Sequence, residues 1–475
     1  MNFTTEQQAV IDYVKQDDKE PLVLIDSVAG SGKTTVLKGI ADAVGGKNSL
    51  YLAYNKAIAT ESKRKFPKNV NCRTTHSLAY GATVRSMGLS VGFFGPRDVK
   101  EKMPYKQKHL LAEDIRRFCL SSHLSYDEFA EEIGAENADL ANKYLNLMST
   151  GAIDCTHDFY LKMFHMLLAS DDIECPTYDL VMLDEAGDLN EVTLEIFMLL
   201  PAKLKVAVGD PHQNIYTFNH TINCFEKLEG MGKTFKLPKS FRVPKSIAAP
   251  VEQFCKTYLN PDMMFEGIED NPDAAIKTRG YISRTNSALV NKIIELNAEQ
   301  TPYGLVRKAQ EIFKLPLMVA GLKYQGKIYD PAYTHVQKDV DDWTENVDNI
   351  KRTQPTLYGY LRSIYEDDIA LINAINIVAQ HGKNAIFEAY AEAKNHESKK
   401  QDLLLLTAHS SKGLEFDQVV LAPDMNASID AAKAQVLEDP ETVLSAQDRE
   451  SLNLYYVACT RALVKLTNAN HLRKA

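Results

Sequence analysis

No stretch of this chain approaches the roughly eighteen consecutive apolar residues that a membrane-spanning helix needs. Met1-Asn2-Phe3-Thr4 opens with neither a basic leader nor an apolar run, so a cytoplasmic protein with no membrane partner is expected. Basic charge is also scarce: 54 Lys and Arg stand against 63 Asp and Glu, a formal net charge of -9. That argues against a protein coating nucleic acid nonspecifically but leaves room for a narrow basic track. The seven cysteines (Cys72, Cys119, Cys155, Cys175, Cys224, Cys255 and Cys459) include no C-x-x-C pair and no histidine at metal-ligand spacing. Buried free thiols are therefore predicted in preference to a disulfide or zinc framework. Low-complexity tracts and short-period repeats are missing too. What remains is a chain of 475 residues, 45% hydrophobic and 25% charged, with room for three or four ordinary globular domains.

Leu22-Val23-Leu24-Ile25 reads as a buried strand, followed by a Gly/Ser loop and a helix from Thr34 to Val44. Leu50 to Tyr54 is a second strand. From Val84 to Cys175 the pattern turns to charged amphipathic helices, such as His109 to Leu120 and Tyr126 to Ile133. Leu180 to Leu183 and Lys205 to Gly209 resume the parallel strands. A second set, Thr278 to Ser283, Leu403 to Thr407 and Gln418 to Ala422, flanks another insertion. The predicted class is α/β, with two lobes each split by a mainly helical insert. The expected boundaries are 1–84, 176–234 (first lobe), 85–175 (its insert), 235–291, 401–475 (second lobe) and 292–400 (its insert).

Ser27-Val28-Ala29-Gly30-Ser31-Gly32-Lys33-Thr34 lies between the first strand and its helix, with Ser27 in place of the usual first glycine. Backbone N–H groups and a helix N-terminus there can cradle phosphates, Lys33 can reach the β and γ oxygens, and the Thr34 hydroxyl can ligate Mg²⁺. The ATP-binding set is Ala29, Gly30, Ser31, Gly32, Lys33, Thr34 and Thr35. Asp184-Glu185 ends the strand Leu180 to Leu183, at the edge where α/β sheets bind ligands. Asp184 is suited to Mg²⁺ and Glu185 to orienting and deprotonating a water. An isolated Asp-Glu is more often a solvated strand end; the phosphate loop weighs against that here.

These residues resemble the superfamily 1 DNA helicases of the UvrD/Rep type, over nearly every motif from Phe3 to Ala462. The resemblance implies two RecA-like P-loop NTPase lobes and ATP with Mg²⁺ as cofactors. Phe3-Thr4-Thr5-Glu6-Gln7 is similar to the family's adenine-recognising motif, through Gln7. Leu52 to Ala57, with Asn55, and Thr74 to Ala79, with Thr75 and His76, resemble two DNA-contacting motifs. Val208 to Phe218 resembles the motif in which Gln213 senses the γ-phosphate and Tyr216 and Phe218 meet DNA bases. Base stacking on such rings is worth about 1–3 kcal/mol each, against the ordinary alternative of core packing. Leu237 to Arg242 resembles the second lobe's opening motif, with Phe241 stacking on adenine and Arg242 on phosphate. In Thr407 to Asp417 the resemblance turns Gly413 and Glu415 to the nucleotide and Thr407 and His409 to DNA. Leu454 to Ala462 closes the series with Arg461 as a second arginine finger, so that the implied catalytic set is Lys33, Asp184, Glu185, Gln213, Arg242 and Arg461.

Two positions depart from the family. Gly187 replaces a glutamine, which weakens the expected coupling of hydrolysis to movement, and Asn219 replaces an arginine, which removes a DNA contact. The short inserts and the Ala-Tyr-Asn-Lys wording are closer to compact phage or F-box-helicase-like members, in a nucleoid-associated bacterial or phage setting. The implied machine is a monomer that holds ATP between its lobes and steps 3′ to 5′ along single-stranded DNA or from single-strand/duplex junctions. Recombination or replication proteins are its expected partners. Lys63-Arg64-Lys65 and Lys236, Lys239 and Lys245 are either phosphate contacts or solvated faces. Duplex unwinding, removal of bound proteins, and a weakly hydrolysing nucleotide-gated DNA-binding module stay open as readings, as does an RNA track.

Overall fold

A strand covered on both faces must be apolar on both, and the first part of the chain holds several such runs. The computed structural model describes residues 3–215, 221–271, 273–325, 333–345, 356–366, 368–398, 400–440 and 442–472. Six parallel strands form one sheet, in the order Val70–Thr74, Ser49–Ala53, Leu180–Leu183, Lys205–Gly209, Leu22–Ser27, Lys233–Leu237. Side chains alternate between two cores, as a period of two requires. Val23, Ile25, Tyr51, Met182 and Val208 face one, with Val36, Leu37 and Ile40 of the helix Lys33–Val44. Leu22, Leu24, Leu52, Val181 and Ala207 face the other, which continues into the first insert through Ile115, Phe118, Tyr144 and Phe164.

The first insert comprises helices at Val84–Met87, Tyr105–Leu120, Tyr126–Ile133, Ala138–Ser149 and His157–Ala169. Tyr126–Ile133 shows why its ends fall where they do. The Ser125 side chain caps the Glu128 amide, Asp127 and Glu128 favour the positive end of the helix dipole, and left-handed Gly134 stops it.

The chain divides into two compact units, residues 1–242 with 264–266, and residues 243–263 with 267–475. The boundary expected between 234 and 235 therefore moves to 242/243. The cause is the strand Lys233–Leu237, which pairs in register with Leu22–Ser27 as the edge of the first sheet. In the second unit five parallel strands run in the order Gly304–Leu305, Leu403–Thr407, Arg279–Ser283, Phe416–Leu421, Ala462–Thr467. Gly304–Leu305 lies inside the stretch expected as insert, which therefore starts later than residue 292. Helices at Lys314–Gln325, Thr334–Glu345, Leu357–Ile364 and Ile369–Ala393 follow, and their core joins Leu289, Val290 and Leu405 of the lobe.

All seven cysteines are free thiols, six of them buried and Cys175 partly so. Among the described residues no helix is long and apolar enough to cross a membrane.

Candidate functional site

The strand Leu22–Ser27 delivers the chain into a loop whose shape depends on two glycines, with φ of 76° at Gly30 and 80° at Gly32. Both values lie in the left-handed region that residues with a Cβ avoid. The loop then enters the helix Lys33–Val44, which no side chain caps. The Thr35 amide bonds the Gly32 carbonyl at 2.9 Å, while the N–H groups of Lys33 and Thr34 precede any acceptor of the helix, which is the arrangement that attracts an anion.

The loop's outer side is tied down at successive residues. The Gln7 amide donates to the Ser31 carbonyl at 3.0 Å, Ser240 Oγ to the Ala29 carbonyl at 2.8 Å, and the Phe241 amide to the Gly30 carbonyl at 2.8 Å. The Val28 amide bonds the Leu237 carbonyl at 3.2 Å, and Ser27, in place of the usual glycine, donates its hydroxyl to the Gly209 carbonyl at 2.7 Å. Arg242 packs so closely that a Cβ on Gly30 would stand 2.7 Å from its own Cβ. Phe241 is half-exposed beside Gly32. Gln7, Phe241 and Arg242 thus surround the loop.

Lys33 Nζ lies 2.7 Å from Glu185 Oε2. Burial penalises the ammonium, but Glu185, Asp184 and Asp210 together more than offset this and raise its pKa. Asp184 is buried, and burial followed by the charge of Glu185 raises its carboxyl; Lys33 and the Tyr51 hydroxyl partly oppose that rise. Tyr51 donates to Asp184 Oδ2 at 2.5 Å, and burial together with this carboxylate keeps the phenol protonated. Glu185 has φ of 55°, an uncommon conformation for a non-glycine residue and the sort of local strain that concentrates at functional sites. Gln213 donates to Asp210 Oδ2 at 2.7 Å, one strand over. The hydroxyl of Thr34 and the carboxylate of Asp184 are hard oxygen donors of the kind Mg²⁺ takes.

Gly187 now has a physical reason. A Cβ there would lie 2.5 Å from the Asp210 carbonyl oxygen, a backbone atom that cannot swing aside. The loop after the paired carboxylates is pressed directly onto the turn that carries Gln213, so the family's glutamine has no room on this backbone.

Asp26 sits in the same neighbourhood, its carboxyl pushed up to about 6 by burial and by Asp210, against a smaller pull from Lys236. The fold therefore favours the neutral acid. The penalty is absent only well below the ordinary carboxyl value of 3.8, where Asp26 is protonated folded or unfolded, grows from there towards pH 6 and is complete above it. Asp26→Asn is expected to stabilise the protein by about 2 kcal/mol at neutral pH, with the gain shrinking through pH 5 and 4 and vanishing only towards about pH 3. Thermal midpoints across that range check this; a gain that ignores pH would refute the electrostatic cause.

Of the residues expected at nucleic acid, Asn55 is exposed and caps the helix Lys56–Lys65 by accepting from the Ile58 amide. Thr75 and His76 open the helix Thr75–Ala82. Burial lowers the His76 pKa, partly countered by Asp158. A cavity of about 330 Å³ brings Tyr54, Thr75 and His76 together with Asp184, Asp188 and Arg116, so it runs from the expected nucleic-acid side to the paired carboxylates. Tyr216 and Phe218 lie outside the described residues, as does Asn219. Lys63, Arg64 and Lys65 occupy the last turn of their helix, where cations favour the dipole, and Lys65 pairs with Glu61.

In the second unit Thr407 caps the helix Ala408–Ser411, and His409 Nε2 lies 3.3 Å from Glu450. Gly413 has φ of 81°, and Glu415 is exposed. Arg461 is buried, its guanidinium donating to the Val457 carbonyl at 2.9 Å and to Thr460 Oγ1 at 3.2 Å. The Phe416 amide bonds the Arg461 carbonyl, which brings Glu415 and Arg461 to neighbouring strand starts. Sequence reasoning missed Tyr51 and Ser240. Tyr51 did leave a signal, as the one hydroxyl-bearing ring in the run Leu50-Tyr51-Leu52-Ala53.

Comparison with known proteins matches residues 7–219 to the family described as AAA domain and residues 324–471 to the UvrD-like helicase C-terminal domain. The chain is 25% identical to F-box DNA helicase 1 of Gallus gallus, over 97% of its own length and 48% of the relative's. It is 24% identical to F-box DNA helicase protein 1 of Schizosaccharomyces pombe, over 98% of its length and 57% of the relative's. It therefore spans about half the length of these curated relatives. With two parallel α/β lobes and both halves of the chain matched in order, it belongs to the UvrD-like helicases of superfamily 1.

Proposed function

We propose that this chain is an ATP-hydrolysing DNA helicase that moves 3′ to 5′ along single-stranded DNA and opens duplex at junctions. The observation that carries this reading is the cluster over the phosphate loop: Lys33 on Glu185, and Asp184 on Tyr51, with Gln213 one strand over. A loop that binds phosphates needs none of these acids; a site that hydrolyses them needs a metal ligand and a group that orients water.

In this reading Gln7 and Phe241 hold the adenine and Lys33 the β and γ phosphates. Thr34 and Asp184 hold Mg²⁺, which supplies charge neutralisation to the phosphates. Glu185 orients and deprotonates the attacking water. Gln213 responds to the γ-phosphate, and Arg242 and Arg461 stabilise the charge that develops on it. Gly413 and Glu415 border the nucleotide. Asn55, Thr75, His76, Thr407 and His409 contact the strand, with Tyr216 and Phe218 stacking on its bases. Specificity for sequence is low, because stacking and phosphate contacts carry little base information.

ATP turnover measured with and without oligothymidylate tests the proposal. Stimulation of about tenfold or more is expected, falling with added salt. Turnover indifferent to single strands would remove the motor reading, and stimulation without strand displacement would favour a translocase that strips bound proteins.

A further inference from the structure

The second unit places two kinds of residue at opposite edges of one parallel sheet. Arg279–Ser283 and Leu403–Thr407 pair with Ser283 beside Thr407, so Arg284 and His409 emerge together at the C-terminal edge. Glu415 and Arg461 precede the strands Phe416–Leu421 and Ala462–Thr467, which pair with Phe416 beside Ala462, and so lie at the N-terminal edge. The helix Ala446–Cys459 joins the two edges. Near its start Glu450 Oε1 lies 3.3 Å from His409 Nε2 and 3.7 Å from Arg284 Nη2. Just beyond its end comes Arg461, about 16 Å away at the rise of an α-helix.

Glu450 is only 7% exposed, on a helix buried without interruption from Glu450 to Cys459. Burying a carboxylate is costly unless opposite charge compensates. Seating the helix does not call for one, because Leu452, Leu454, Tyr455 and Val457 already supply its apolar contacts. Arg284 is also fixed through its backbone. The Asp424 carboxylate accepts from the amides of Arg284 and Thr285, at 3.1 and 2.9 Å, and from the Thr285 hydroxyl at 2.9 Å. One carboxylate therefore sets where Arg284 starts, and another sets where its guanidinium points.

We propose that Glu450 is a positioning residue: it aims Arg284 and His409 at the nucleic-acid strand and fastens both to the helix Ala446–Cys459 that leads into Arg461. The inference rests on the motor reading above and deepens it. A change at the Arg461 end is transmitted along a buried, rigid element to the two side chains at the other edge.

The test is ATP turnover as a function of oligothymidylate concentration for the full chain and for Glu450→Gln, Glu450→Asp, His409→Ala and the double variant His409→Ala/Glu450→Gln, with thermal midpoints alongside. Glu450→Gln keeps shape and removes charge. It is expected to raise the half-saturating oligothymidylate concentration about tenfold, the scale of one charge-assisted hydrogen bond, with a smaller change in kcat. Glu450→Asp should recover part of the loss, and the double variant should be little worse than the poorer single one. The inference is overturned if Glu450→Gln shifts the thermal midpoint but leaves half-saturation within about twofold, or if the double variant loses the full product of the single losses. A wild type that ignores oligothymidylate overturns the motor reading and this inference with it, and the distinction is visible before any variant is made.

Discussion

Lys33→Ala is expected to lower ATP turnover by about a thousandfold or more while leaving the fold intact. Lys33 is held protonated by Glu185, Asp184 and Asp210, whose combined attraction exceeds the penalty of burial. It is therefore a fixed positive charge at the mouth of the phosphate loop, and its loss removes stabilisation from the migrating γ-phosphoryl charge. It also leaves three carboxylates uncompensated, so a fall of a few degrees in thermal midpoint should accompany the kinetic loss. Steady-state turnover, with circular dichroism to establish folding, is the measurement. Retention of turnover within about tenfold, in a folded variant, would mean that Lys33 serves the Glu185 pair and not the nucleotide.

Glu185→Gln separates binding from chemistry. Single-turnover hydrolysis should fall about 10²–10⁴-fold, the range for removing a general base. Affinity for a fluorescent ATP analogue should hold or improve, because Glu185 no longer competes for the Lys33 ammonium at 2.7 Å. Both variants lose turnover, but only Lys33→Ala should also lose affinity. If Glu185→Gln hydrolyses at close to the wild-type rate, Glu185 is the counter-ion of Lys33 and the water is activated elsewhere.

Legibility followed burial. Leu180–Leu183, Lys205–Gly209 and Leu403–Thr407 are interior strands, apolar on both faces, and can be read to the residue from composition. Lys233–Leu237 cannot, because as an edge strand it carries lysines towards solvent and looks like a loop. That concealed the true extent of the first unit. Gly304–Leu305 has two residues, too few for any period. Around the phosphate loop, Lys33 and the Asp184-Glu185 pair announce themselves by residue type and by their place at strand ends. Tyr51 acts through a register between neighbouring strands, Tyr51 opposite Met182, and only the sheet order reveals it. Glu450 meets partners far away in sequence, and nothing local distinguishes it from a surface glutamate. Gly187 was legible as a departure, but the close approach of its backbone to the Asp210 carbonyl was not.

The segment that leads out of the first unit is laced to the phosphate loop before it leaves. Leu237, Ser240 and Phe241 bond Val28, Ala29 and Gly30 in turn, and the chain leaves the unit after Arg242, returning to it only at residues 264–266. Tension along the polypeptide at that exit is therefore shared by the glycine-bearing loop after Leu22–Ser27. If the chain is the motor proposed above, pulling on this exit segment should change the rate of nucleotide release.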